Sequence, residues 1–98
     1  MHIALSWDIT ASGARWTTIN DAMREELKNY PWVRPLSTFY IVNISTGEQR
    51  DSIVDALTAV AKRFPEKINF VVTPPMSGGG YNGWLPKDLW DKINERAK

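Results

Sequence analysis

A chain of 98 residues with a hydrophobic fraction of 43% is long enough for one real core and too short for two. It has no cysteine, which excludes a disulfide scaffold, a zinc ribbon and a thiol nucleophile, and its formal net charge of +1 excludes a strong global field that would draw in nucleic acid. No apolar run approaches the roughly 20 residues needed to cross a bilayer, and the start lacks the basic and apolar regions of a signal peptide, so a cytoplasmic protein away from the membrane is expected.

The first element is a strand. Ile3, Leu5 and Trp7 alternate with Ala4, Ser6 and Asp8, a period of two that puts large apolar groups on one face and small or polar ones on a more open face. From Thr17 to Tyr30 the period changes to that of a helix, with Ile19, Ala22, Met23, Leu27 and Tyr30 on one stripe, Thr17 or Thr18 as cap and Pro31 as terminator. Trp32-Val33-Arg34, interrupted by Pro35, reads as a ragged edge strand, because proline cannot donate to a ladder. It is hairpinned to Thr38–Ile44, rich in aromatic and β-branched residues and suited to a central strand.

Thr46 and Gln49 have the spacing of a capping box, and the helix after them turns Ile53, Ala56, Leu57, Val60 and Phe64 to the core before Pro65 stops it. The last strand, Ile68–Thr73, ends at Pro74-Pro75. The Ser77–Gly80 run is a flexible loop; a phosphate loop would need Gly-Lys-Ser/Thr opening a helix, and Tyr81-Asn82-Gly83-Trp84 is not that. Pro86 suits the first position of a closing helix to about Arg96, with Leu89, Trp90 and Ile93 packing back. The order β-α-β-β-α-β predicts an α+β, ferredoxin-like single domain with two helices on one face of a four-stranded antiparallel sheet, and a C-terminal appendage from about residue 74. The other sheet face is left to water, a ligand or a second subunit.

Among candidate site residues, Asp8 stands out as a carboxylate at the mouth of an apolar strand. It can hold a divalent metal, accept hydrogen bonds from Thr10, Ser12 or the turn amides, or pair with Arg15. His2 reads as a surface residue with nothing to fix its tautomer, and Ser6, Ser12 and Ser37 have no predictable base partner. Lys62, Arg63 and Lys67, and Lys87, Lys92, Arg96 and Lys98, are the basic groups; acids at Asp88, Asp91 and Glu95 make the second a mixed solvated face. Of the five tryptophans, Trp7 and Trp90 are expected inside, whereas Trp16, Trp32 and Trp84 lie near element ends and are expected to be partly exposed. Thr38–Asn43 lacks the basic-Gly-aromatic-Gly pattern of an RNA-recognition motif.

The opening Ile3-Ala4-Leu5-Ser6-Trp7-Asp8-Ile9 resembles the strand-one signature of the small CRISPR-associated Cas-two proteins and their VapD-like toxin relatives. Pro35-Leu36-Ser37-Thr38-Phe39-Tyr40-Ile41-Val42 is closer still to the SinR-like small proteins, and Gly83-Trp84-Leu85 is similar to that group. Trp7 departs from the more usual Tyr, and the arginine expected after strand one has only Arg15 as a loose counterpart. The resemblance implies a ferredoxin-like homodimer in nucleic-acid metabolism, in which two copies of Asp8 near the dimer axis hold a divalent metal for phosphodiester hydrolysis. Magnesium suits such a site, since it prefers oxygen ligands and keeps several waters.

Two classes of function follow. In the first, the protein acts on RNA or DNA as a metal-dependent ribonuclease, with Asp8 as metal ligand and catalytic residue and Arg15 and Arg34 as phosphate contacts. In the second, it is a non-catalytic module that dimerises and binds or inhibits a protein partner. Low net charge and a lone strand-end acid favour the second; the resemblance favours the first.

Overall fold

The alternating pattern at the start of the chain forms strand β1, His2–Ile9, in the computed structural model, which describes residues 1–97. Helix α1 (Gly13–Glu25), strands β2 (Trp32–Leu36) and β3 (Phe39–Asn43), helix α2 (Gly47–Arg63), strand β4 (Ile68–Val72) and helix α3 (Lys87–Arg96) follow in turn. The described chain is therefore α+β, with a four-stranded antiparallel sheet ordered β2-β3-β1-β4 and three helices. None of these helices is long and apolar enough to cross a membrane.

Helix α1 begins earlier than its apolar stripe suggests, at Gly13, whose φ of 58° lets the chain turn in from Ser12 without a Cβ clash. Thr17 and Thr18 accordingly do not cap it: their hydroxyls donate to the carbonyls of Gly13 at 3.4 Å and Ala14 at 3.0 Å. The helix ends at Glu25, but the amides of Glu26, Leu27, Lys28 and Tyr30 each bond to the carbonyl three residues back. These tighter turns keep Leu27 and Tyr30 against the core, which is why the stripe outlasts the helix. In α2 the Thr46 hydroxyl does cap, accepting from the Gln49 amide at 3.3 Å, while the Gln49 side-chain oxygen accepts from the Ser45 amide at 2.6 Å. That places the return bond one residue before the cap rather than on it.

The main core joins Ile3, Leu5, Trp7 and Ile9 of β1 and Tyr40 and Val42 of β3 to Ile19 and Met23 of α1 and Ile53, Leu57 and Val60 of α2. Trp7 lies 2% exposed, stacks on Tyr40 at 4.8 Å between ring centroids, and donates its indole N–H to the Asn20 side-chain oxygen at 2.9 Å. A second cluster forms on the opposite sheet face, where Ile93 and Ala97, with Leu89 and Trp90 beside them, cover Val33 of β2 and Ile41 of β3. The sequence left that face open; α3 closes its β2–β3 half, because its apolar stripe has no other surface to bury against. Trp90 ends up only partly buried.

His2 is a correction. Expected on the surface, it is 1% exposed, because the segment after β4 returns along β1: the His2 and Met76 amides each donate to the other's carbonyl at 2.8 Å. Tyr81 then closes over the imidazole, sharing a 3.1 Å hydrogen bond between its hydroxyl and His2 Nε2.

Candidate functional site

Asp8 sits where α3 does not reach. Its pairing with Asn69, next to the pairing of Ser6 with Val71, puts these residues side by side on the uncovered β1–β4 half of the second sheet face. The register between β1 and β3 ends at Ser6 and Phe39, so Asp8 lies beyond β3 and pairs with β4 alone. A shallow depression of about 240 Å³ lies there, lined among others by Ser6, Asp8, Asn69 and Val71. Beneath it, Trp7 anchors the strand end through Asn20 and Tyr40.

The Asp8 carboxylate is exposed and has no hydrogen-bond or ion-pair partner among the described residues. Both structural roles considered for it are filled by other groups. The turn after β1 is held by backbone, with the Thr10 amide donating to the Lys67 carbonyl at 2.9 Å and the Ala11 amide to the Ile9 carbonyl at 3.0 Å. Arg15 pairs with Glu66 through two bonds, Nε to Oε2 and Nη2 to Oε1, the latter at 2.9 Å. The Arg15 guanidinium also lies over the Phe64 ring at 5.1 Å, and beside it the Glu66 carboxyl is held below its usual range. A phosphate contacting Arg15 competes with that pair.

Arg34 stands in different company. A cleft of about 260 Å³ at the β2 edge is lined by Arg24 of α1, Arg34 of β2 and Lys92 and Arg96 of α3, around Trp32 and Leu89. Arg24 has Asp21 at 3.1 Å and Arg96 has Glu95 at 3.9 Å, whereas Arg34 and Lys92 have no acidic partner among the described residues. Four cations against two acids, Asp21 hydrogen-bonded to Arg24 and Glu95 at longer range from Arg96, leave a locally positive concavity on a nearly neutral protein. Of the mixed solvated face expected at the C-terminus, Lys87 pairs with Asp91 at 2.8 Å and Arg96 with Glu95 at 3.9 Å, while Lys98 lies outside the described residues. Lys92 and Arg96, one helical turn apart, share one stripe, a spacing readable in the sequence; that Arg24 and Arg34 complete the set depends on where α3 docks.

On the other flank of α3 lies an apolar groove of about 240 Å³ between Leu36 and Phe39 of the β2–β3 hairpin and Tyr81, Trp84 and Leu85 of the connection to α3. Trp84 is 99% exposed. Burial pushes the neighbouring Tyr81 phenol above its usual value, and its hydroxyl shares the hydrogen bond with His2 Nε2. Asp8 and Arg34, proposed from sequence for one chemistry, line separate cavities of the same chain.

The residues around Asp8 bear on a metal in a definite way. Among the described residues there is no group of three or more His, Cys, Asp or Glu side chains. One free carboxylate beside an amide and a hydroxyl is too poor for zinc or calcium, but it suits a magnesium ion that keeps several waters and takes further oxygens from a phosphate. Compared with protein-family models, with curated proteins and with solved structures, the chain shows no match.

Proposed function

We propose that this chain is a cytoplasmic, ferredoxin-like homodimer that binds nucleic acid, akin to the Cas-two, VapD-like and SinR-like proteins it resembles, with a magnesium-dependent phosphodiesterase activity centred on Asp8. The ferredoxin-like reading is supported by strand order: the α1 crossover from β1 to β2 skips β3, and the α2 crossover from β3 to β4 skips β1, as two interleaved split βαβ units do. The observation that carries nucleic-acid binding is the convergence of Arg24, Arg34, Lys92 and Arg96 on one cleft. Such a patch neutralises several phosphates without needing a high net charge, and phosphate binding supplies most of the affinity of non-specific complexes.

Asp8 is the residue that would hold magnesium, one from each copy, and the bound ion supplies an activated water and a polarised phosphoryl oxygen. Within the chain itself, the exposed and unpartnered carboxylate is free to take a ligand without first breaking a structural bond.

The test is binding of labelled RNA and DNA across a salt series, followed by cleavage with magnesium or chelator. Affinity should fall steeply with salt, and Arg34→Ala with Lys92→Ala should weaken it and lower the slope by about one for each phosphate no longer neutralised. Asp8→Asn should abolish magnesium-dependent cleavage and leave binding in place. Salt-insensitive or absent binding refutes the nucleic-acid reading; equal cleavage by wild type and Asp8→Asn refutes the role of Asp8. A second reading, a non-catalytic protein-binding module, is favoured by the exposed apolar side chains of Leu36, Val71 and Trp84. A protein complex that survives Asp8→Ala would support it.

A further inference from the structure

Asparagine is depleted in strands, because its amide competes with the ladder for the backbone. This sheet carries one in β3 and one in β4. Asn43 of β3 donates to the Arg96 carbonyl at 2.9 Å and so ties α3 to the sheet. Asn69, inside β4, is exposed, and its side chain has no hydrogen-bond partner among the described residues. The register sets it directly opposite Asp8, on the part of the sheet face that α3 leaves uncovered, and both line the same depression. Opposed residues of an antiparallel pair have Cβ atoms about 4.5–5.5 Å apart, so these two side chains can bring oxygens to one small cation. An amide and a carboxylate so placed could also bond to each other, and they do not. Ser6, the other polar group of the depression, lies two residues along β1, about 6–7 Å away; it is half-buried and faces Val71. Asp8 and Asn69 are therefore the near pair.

We propose that Asn69 is a second protein ligand of the magnesium site at Asp8, giving its side-chain carbonyl oxygen beside the carboxylate. The inference rests on the reading of Asp8 as a magnesium ligand and adds a residue from β4 of the same chain. A neutral amide oxygen suits a hard cation and does not cancel its charge, which stays available to polarise a phosphoryl oxygen. Each copy of the chain then brings a pair of oxygen ligands to the ion in place of a lone carboxylate.

The experiment reads metal binding without any nucleic acid. Manganese, which takes the same octahedral oxygen coordination as magnesium, is titrated into the protein while the paramagnetic resonance signal of the free ion is followed, and magnesium is then added as competitor. Four proteins are compared: wild type, Asp8→Asn, Asn69→Ala, and the exchange variant Asp8→Asn with Asn69→Asp. Both positions are exposed, so the variants should fold like wild type, which circular dichroism checks. Asp8→Asn should lose the ion. Asn69→Ala should weaken binding by at least about 10-fold, since removing even a hydrogen-bond partner of a metal ligand costs about 10- to 100-fold. The exchange variant should recover most of the wild-type affinity, because the carboxylate and the amide have only traded strands around one point. An unchanged affinity in Asn69→Ala, or an exchange variant that binds no better than Asp8→Asn, overturns this inference and leaves Asp8 as a ligand. No binding by wild type, or equal binding by wild type and Asp8→Asn, overturns the reading of Asp8 and this inference with it.

Discussion

Asn20→Ala tests what holds the end of β1 that presents Asp8. Asn20 is 4% exposed and Trp7 2% exposed, and the bond between them, at 2.9 Å, satisfies the only polar group of the indole. Truncating Asn20 leaves the Trp7 N–H buried without its acceptor, at a cost of about 1–3 kcal/mol, to which a small cavity adds. A loss near 2 kcal/mol in a domain of this size lowers Tm by roughly 8–16 °C. Trp7→Phe removes the donor and keeps a ring against Tyr40, so it strands the Asn20 oxygen instead. Because both single variants break one bond, the double variant should cost less than their sum by at least about 1 kcal/mol. Urea unfolding followed by far-UV circular dichroism measures all four proteins without depending on tryptophan emission. A loss below about 0.5 kcal/mol for Asn20→Ala, or full additivity in the double variant, would refute the claim that this bond anchors the strand.

Other expectations use the same unfolding measurement. Tyr40 is fully buried and its hydroxyl has no partner among the described residues, so Tyr40→Phe should be neutral or stabilising; a loss above about 1 kcal/mol would mean the hydroxyl is satisfied. Asp8→Asn should change stability by less than about 0.5 kcal/mol, since no bond depends on the carboxylate, and a larger loss would return Asp8 to a structural role. Glu66, lowered in pKa by its hydrogen bond to Arg15, adds stability at pH values above its ordinary carboxyl pKa, and that stability is lost as pH falls through the lowered folded value. Glu66→Gln should remove that part of the acid-side pH dependence, and an unchanged pH profile would show that the pair contributes nothing. By releasing Arg15, the same variant should strengthen nucleic-acid binding if Arg15 touches phosphate; unchanged affinity would show that Arg15 does not touch it.

Strand and helix identities were legible because each rests on local periodicity. Ile3, Leu5 and Trp7 alternate, Ile53, Leu57 and Val60 recur at helical spacing, and Pro35 and Pro65 mark positions where a ladder bond or a helix turn is impossible. The boundaries of α1 were less legible, since the tight turns after Glu25 continue its apolar stripe without continuing its helix. Asp8 was found because a carboxylate ending an apolar strand is a local anomaly. What surrounds it was not, because Asn69 and Val71 reach it only through a strand distant in the chain.

The sequence by itself determined the elements, their order and the two faces of β1, all set by interactions between residues a few positions apart. Only the tertiary structure decided which face stays open. The docking of α3 over β2 and β3 covers Val33 and Ile41, and the return of the chain past Met76 buries His2. The same docking gathers Arg24, Arg34, Lys92 and Arg96 into one cleft and leaves Asp8 and Trp84 in solvent. These outcomes depend on which surfaces meet, a competition among long-range contacts that no local pattern records.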